Sequence, residues 1–264
     1  MCDFRLVGVL HLPPLPGAAN YEGRSVLEMA ACAAEDARIL QAAGFTDVMV
    51  QDASDEPQPT TVGAATVAAL AVIGAAVRQA TTIGLGVVVG HNDGPSGVAI
   101  AHAIGATFVR VKVLTGVSVG PTGWIEGCSF EVAQMKRLLG SDVEIWADLH
   151  EATSLALSGD VAWAAAQALD FGGADAVIVT RDSGVADAVS DIAVLRESGA
   201  VPTGVSVFIG GRVSLASLET AVRGSDGAIL GSVLKDGSGY DARIDPVTAQ
   251  DLGAVARSIT AASV

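Results

Sequence analysis

The sequence predicts an α/β protein of one domain spanning 1–264, a closed (β/α)8 barrel, and three observations carry that expectation. Short apolar runs rich in Val and Ile alternate with longer Ala-rich segments of helical period, the pattern of β-α units on a parallel sheet. The strings AAGFTD, AIGATF and FGGADA repeat one junction, in which a glycine ends a helix and a strand follows at once. No linker composition interrupts the 264 residues, and barrels of this kind run to about 250 residues as single domains.

The predicted strands are 4–11, 47–52, 84–90, 107–113, 143–150, 175–180, 204–211 and 227–232. Each is short, β-branched and bounded by Gly, Asp or Thr, as buried parallel strands are. Helices are expected over 25–43, 61–79, 95–104, 129–139, 160–171, 186–198, 214–223 and 245–262. The uncharged stretch TTVGAATVAALAVIGAAV, 60–77, is barely long enough to cross a bilayer of about 30 Å. Its Ala and Gly content fits a helix buried against a barrel, so no membrane span is expected.

Composition excludes some partners. Fifteen Lys and Arg against 29 Asp and Glu give a net charge of −14, which disfavours nucleic acids and anionic membranes. An anionic ligand would have to be captured by local geometry. Cys2, Cys32 and Cys128 are widely spaced and form no Cys-x-x-Cys pair, which suits a reducing, cytoplasmic setting rather than a disulfide framework. The start MCDFRLVGVLHLPPLP lacks the basic opening and cleavage site of a signal peptide. So apolar a chain is compatible with a homo-oligomer.

In such a barrel the chemistry gathers at the C-terminal strand ends. Alternation along TFVRVKV turns Val109, Val111 and Val113 toward the helices and Phe108, Arg110 and Lys112 inward. On the next strand Glu144, Trp146, Asp148 and His150 face inward. Buried charges are costly unless paired or used, so Glu144 or Asp148 is expected to neutralise Arg110 or Lys112, with Asp148 the expected partner of Lys112.

The last two strands end in glycines, Gly210 and Gly211, then Gly231 with Ser232. Backbone N–H groups there, helped by the N-terminus of the following helix, could hold a phosphate, with Arg212 and Ser232 as side-chain donors. His11, His91 and His150 fall near strand ends, accompanied by Asp52, Asp93 and Asp148. That set is compatible with a divalent metal, but its spacing is not diagnostic and no cofactor is predicted. His102 lies on the third helix and reads as structural. Trp124 and Glu126, in TGVSVGPTGWIEGCS, are candidates for a lid over the mouth.

The strings GVLHLPPLPGAANYEG, ATFVRVKVLTGVSVGPTGWIEG, GADAVIVT and DGAILGSVLKDG resemble the BtpA/SgcQ family, in the same order from about residue 5 to residue 245. The resemblance implies a TIM barrel with a phosphate-site-like end. It also brings a named role of cyanobacterial members in photosystem I biogenesis, and operon members that look like enzymes of sugar or nucleoside metabolism. This chain departs from the family pattern at the strand ends. Gln51 and Asp52 stand for a Glu-Asn pair, and His91 stands for an arginine ahead of Asn92 and Asp93. Lys112 stands for an asparagine. Asp148 is kept, His150 is new, and a Lys-His element is missing after it.

The expected function is that of an enzyme on a small phosphorylated metabolite, a sugar phosphate or nucleotide-like compound. Lyase, isomerase and glycosidase-type chemistry are all compatible. His11, Asp148 and His150 are acid/base candidates, and Lys112 with Arg110 would serve as cations or, for Lys112, as a Schiff-base amine. Asp52, His91, Asn92, Asp93 and Glu126 complete the candidate ligand-facing set. The alternatives are a non-catalytic assembly factor and a metal-dependent hydrolase.

Overall fold

A computed structural model describes residues 4–150, 153–157, 159–237, 239 and 241–262. Eight parallel strands close into a barrel in the order β1-β11-β10-β9-β7-β4-β3-β2. These are β1 (Arg5–His11), β2 (Asp47–Gln51), β3 (Gly84–Val88), β4 (Phe108–Val111), β7 (Glu144–His150), β9 (Ala176–Val179), β10 (Ser206–Gly210) and β11 (Gly227–Leu230). Each of the eight predicted strand segments contains one of them. The helices are α1 (Val26–Ala43), α2 (Ala64–Ala80), α3 (Gly94–Ile104), α4 (Ser129–Leu139), α5 (Val161–Ala166), α6 (Val185–Glu197), α7 (Leu218–Gly224) and α8 (Pro246–Ala262). The fold is therefore the TIM barrel the sequence predicts.

The glycine junctions act as expected. Gly44 and Gly105 end α1 and α3 in the left-handed region, at φ 89° and 67°, where a side chain would be strained. The segment predicted as one helix over 160–171 is α5 followed by a π-helical turn, Gln167–Phe171. No described helix is long and apolar enough to cross a membrane, and most of the uncharged stretch at 60–77 lies within α2.

Strand alternation divides the core in two. Val109, Val111, Ile145 and Val177 pack outward with the helices, whereas Val7, Val9, Met49, Val88, Phe108, Trp146, Ile178, Phe208 and Ile229 fill the barrel. Phe108, Trp146 and Phe208 stack, with centroids 3.7 and 4.2 Å apart. Arg5 lies 4.5 Å over the Trp146 ring as a cation on a π face. Asp47 holds its guanidinium from the start of β2 and Glu144 from the start of β7. Glu144 also accepts the indole N–H of Trp146. The N-terminal end of the barrel is thus plugged by a ring stack, an arginine and two carboxylates.

The loop expected as a lid is a sheet. β5 (Val117–Gly120) pairs antiparallel with β6 (Gly123–Glu126) and with β8 (Leu155–Ala156). Ser118 and Ile125 are buried beneath it, while Val119, Trp124 and Leu155, neighbours across the strands, are exposed.

Candidate functional site at the barrel mouth

Above the apolar barrel core the inward side chains become polar. Arg110, one layer above Phe108, donates from Nε and Nη2 to the two oxygens of Asp148, at 3.0 and 2.8 Å. The pair is nearly sealed, with side chains 14% and 0% exposed. Asp148, one of the two carboxylates expected to neutralise Arg110 or Lys112, grips Arg110 with both its oxygens. The reason is reach: the long Arg110 side chain climbs one layer to meet a strand partner two residues further along β7. Glu144, the other carboxylate considered, belongs to the plug at the opposite end.

Lys112 is 7% exposed, and its charge is felt at Asp52, which is 0% exposed. Burial pushes the Asp52 carboxyl up to about 6, and neighbouring Asp55 adds to this. The Gly90 N–H and the Lys112 charge act in the opposite direction. Gly90 donates to both Asp52 oxygens, at 2.8 and 3.1 Å, so Asp52 joins the loops after β2 and β3. Asp55 plays a matching part by accepting the Leu15 N–H at 2.8 Å, which fixes the loop after β1.

Asn92 and Asp93 spend their side chains on backbone. Asn92 exchanges both amide groups with Val113, at 2.8 and 2.9 Å, and donates to the Glu126 carbonyl at 3.0 Å. Asp93 caps α3 through Ser96 N–H and also holds Val62 N–H. His91 is buried next to β5, its Cε1 3.8 Å from where a Cβ on Gly120 would stand. Trp124 and Glu126 are exposed on the small sheet, and His102 is exposed on α3.

On the other side of the mouth, the His11 ring packs against Gly231, its Cε1 2.8 Å from where a Cβ would stand. Any side chain at 231 would displace that imidazole. Gly210 likewise leaves room for Thr180, a buried residue at the end of β9 whose hydroxyl has no hydrogen bond among the described residues. Gly211 is exposed at φ 70°, and Arg212 follows it at φ 54°, a left-handed conformation that costs a non-glycine residue free energy. Arg212 is ion-paired with Asp182 at 2.8 Å, and Ser232 is exposed.

The helix termini expected behind these glycines are not there. After β11 a single 3-10 turn, Ser232–Leu234, follows, and α7 begins only at Leu218. The intervening chain folds into a turn closed by Ser214 and Ser217. Any anion there would be held by backbone N–H groups and side chains without an aligned helix dipole.

At the end of β7, His150 Nδ1 lies 3.2 Å from Arg181 Nη1. Its pKa is lowered, by burial first and then by Arg181. Cys128 is pushed up to about 11 by burial, which suits a packed thiol rather than a nucleophile. Cys32 and Cys128 are free thiols, and Cys2 lies outside the described residues. Among the described residues no three His, Cys, Asp or Glu side chains converge as a metal site.

A TIM barrel with one end plugged and the other lined by paired charges, imidazoles and glycines has the layout of the barrels that bind small molecules at the C-terminal face. The chain belongs to the BtpA family, whose model matches residues 3–257. It is 35% identical to protein TK2179 of Thermococcus kodakarensis, over 98% of this chain and 97% of that one. It is 31% identical to the photosystem I biogenesis protein BtpA of Synechocystis, over 92% and 84%. Among solved structures, native KDPGal superposes with a TM-score of 0.60 at 18% identity, covering 98% of this chain and 97% of that one. Phosphoribosylanthranilate isomerase of Thermotoga maritima gives 0.57 at 10% identity, covering 96% and 98%. At these identities the likeness is one of fold.

Proposed function

We propose that the protein is an enzyme that binds a small phosphorylated metabolite at the barrel mouth. The observation that carries this reading is a buried lysine at a strand end of so acidic a chain. Of only three lysines, Lys112 is inside the mouth, with Arg110 one layer below it. Arg110 is already matched by Asp148, so it is Lys112, at the strand end above that pair, whose ammonium a ligand anion would meet. Gly211, Gly231 and Ser232 would present backbone N–H groups to the phosphate, with Arg212 at the rim. Lys112, charged beside Asp52, would meet an anionic or carbonyl oxygen of the rest of the ligand. It would act as a fixed cation rather than as a Schiff-base amine. His11, packed on Gly231, would exchange a proton with the ligand next to the phosphate. Arg110 and Asp148 would hold each other and define the floor. The solved barrels of like fold include phosphoribosylanthranilate isomerases, enzymes of a phosphorylated substrate, which agrees with this reading.

A thermal-shift comparison tests it. Wild type and Ser232→Asp are heated with inorganic phosphate, sugar phosphates and nucleotides. Binding at a hundredfold excess over Kd stabilises the folded state by about 2.7 kcal/mol. A shift confined to one phosphorylated class, and lost in Ser232→Asp, is expected. No shift with any phosphorylated compound would remove the reading.

A second reading, a non-catalytic assembly factor, is favoured by one observation, the exposed row Trp124, Val119 and Leu155 on the small sheet. It predicts that Trp124→Ser with Leu155→Ser abolishes complementation of a strain lacking its family member, whereas Lys112→Met does not. The enzymatic reading predicts the reverse.

A further inference from the structure

A cleft of about 470 Å³ opens among the loops that follow β1, β2 and β11. Those three strands are neighbours in the barrel, so the cleft stands at the mouth on the side where His11 packs against Gly231. Pro13, which lines it, is two residues past His11, and Asp241 lies on the segment between Ser232 and α8. The walls are held by the chain itself. Asn20 donates to the Ser54 carbonyl at 2.8 Å and accepts the Glu56 N–H at 3.0 Å, which joins the loops after β1 and β2. On the β11 side, Arg243 reaches α1, with Nε 2.8 Å from Asp36 and Nη2 2.9 Å from Glu35. The Asp236 N–H meets the Arg243 carbonyl at 3.0 Å, so the same anchor fixes the base of the segment that carries Asp241. A cleft preorganised in this way loses little in ordering when it is filled.

The lining sets the chemistry. Glu22, Glu56 and Asp241 are exposed carboxylates, set against a single cation, Arg24, among the described lining residues. Carboxylates accept hydrogen bonds and donate none, so they suit hydroxyl and ammonium groups and repel a second anion. Pro13 and Pro14 add apolar rings on which the carbon face of a sugar can lie. The volume falls within the roughly 300–1,000 Å³ of small-molecule sites.

We infer that this cleft holds the part of the ligand beyond its phosphate, and that this part is a sugar unit bearing hydroxyl or amino donors and no second anionic group. The inference rests on the phosphate reading proposed above and narrows its ligand class to phosphates of neutral or amino sugars. Glu22 and Glu56 are then specificity-determining residues that stand apart from the phosphate grip.

Isothermal titration calorimetry tests it with inorganic phosphate, hydroxyacetone phosphate, glucosamine 6-phosphate and 6-phosphogluconate. Wild type is expected to bind glucosamine 6-phosphate about tenfold more tightly than hydroxyacetone phosphate, which is too short to enter the cleft. It should also prefer it to 6-phosphogluconate, whose carboxylate meets the acidic wall. Glu22→Gln combined with Glu56→Gln, both at exposed positions, leaves binding of the two small probes unchanged. The same variant weakens glucosamine 6-phosphate about tenfold and removes the discrimination against 6-phosphogluconate. Equal wild-type affinities for hydroxyacetone phosphate and the two sugar compounds overturn the inference, as does an unchanged profile in the double variant. In either case binding of the small probes leaves the phosphate reading standing, whereas binding of none of the four compounds removes both.

Discussion

Asp52→Asn separates the cost of burying a charge from the value of that charge to a ligand. Asp52 is fully buried, and its carboxyl is raised from 3.8 to about 6. A raised folded-state value means that the protonated form is favoured by folding. The favourable contribution is present below about pH 4 and is lost as pH rises through about 6. Above that the native state carries a constant penalty of about 3 kcal/mol, from roughly two units at about 1.36 kcal/mol each. An amide in the same place has no charge to desolvate, and its oxygen can still accept the Gly90 N–H, now 2.8 Å away. Relative to wild type, Asp52→Asn should therefore gain about 3 kcal/mol of stability between about pH 4 and pH 8. Urea denaturation of both proteins across that range measures the difference. A difference that does not change with pH would refute the reasoning, because it would mean that Asp52 has the same pKa folded and unfolded. Ligand binding should move the other way, since the Lys112 ammonium loses a negative charge that favours it.

Other substitutions test particular contacts. Asn92→Ala removes three hydrogen bonds that join the loop after β3 to β4 and to the small sheet, and should cost about 2–4 kcal/mol by chemical denaturation. Asp148→Ala leaves Arg110 buried without its bidentate carboxylate and should cost about 3–5 kcal/mol, and more than Arg110→Met combined with Asp148→Leu. Gly86→Ala drives a methyl into the Phe108 ring within the barrel and should lose about 1–3 kcal/mol, read as a lower Tm. Gly231→Ala should leave the fold intact but displace the His11 ring, weakening ligand-dependent stabilisation more than intrinsic Tm.

Strand periodicity made the barrel and the direction of its side chains legible. The alternation that turned Val109 and Val111 outward also sent Arg110 and Lys112 inside, and the two core clusters divide along that line. Pairing was less legible, because periodicity gives a side chain's face but not how far it climbs. Arg110 reaches up to Asp148, and Glu144 serves the plug with Arg5, whose part had no local signature at all. Asp55 and the Arg181–His150 contact were also missed, since Leu15 and His150 are far from their partners in sequence. The small sheet had a signal, a PTG turn between VSVG and GWIE, but four-residue strands are too short for periodicity to declare. The glycines at 210, 211 and 231 were found as places where backbone N–H groups could meet a phosphate; in the structure Gly210 and Gly231 are crowded by Thr180 and His11, and Gly211 is open. The helix dipoles expected behind them were not found, because seven residues, 211–217, separate β10 from α7.

The most direct measurement is a crystal structure of the protein grown with hydroxyacetone phosphate. The account predicts phosphate density between Gly211 and Ser232, with the rest of the ligand directed toward Lys112 and His11. Phosphate bound elsewhere, or a ligand that leaves Lys112 and His11 untouched, would contradict it.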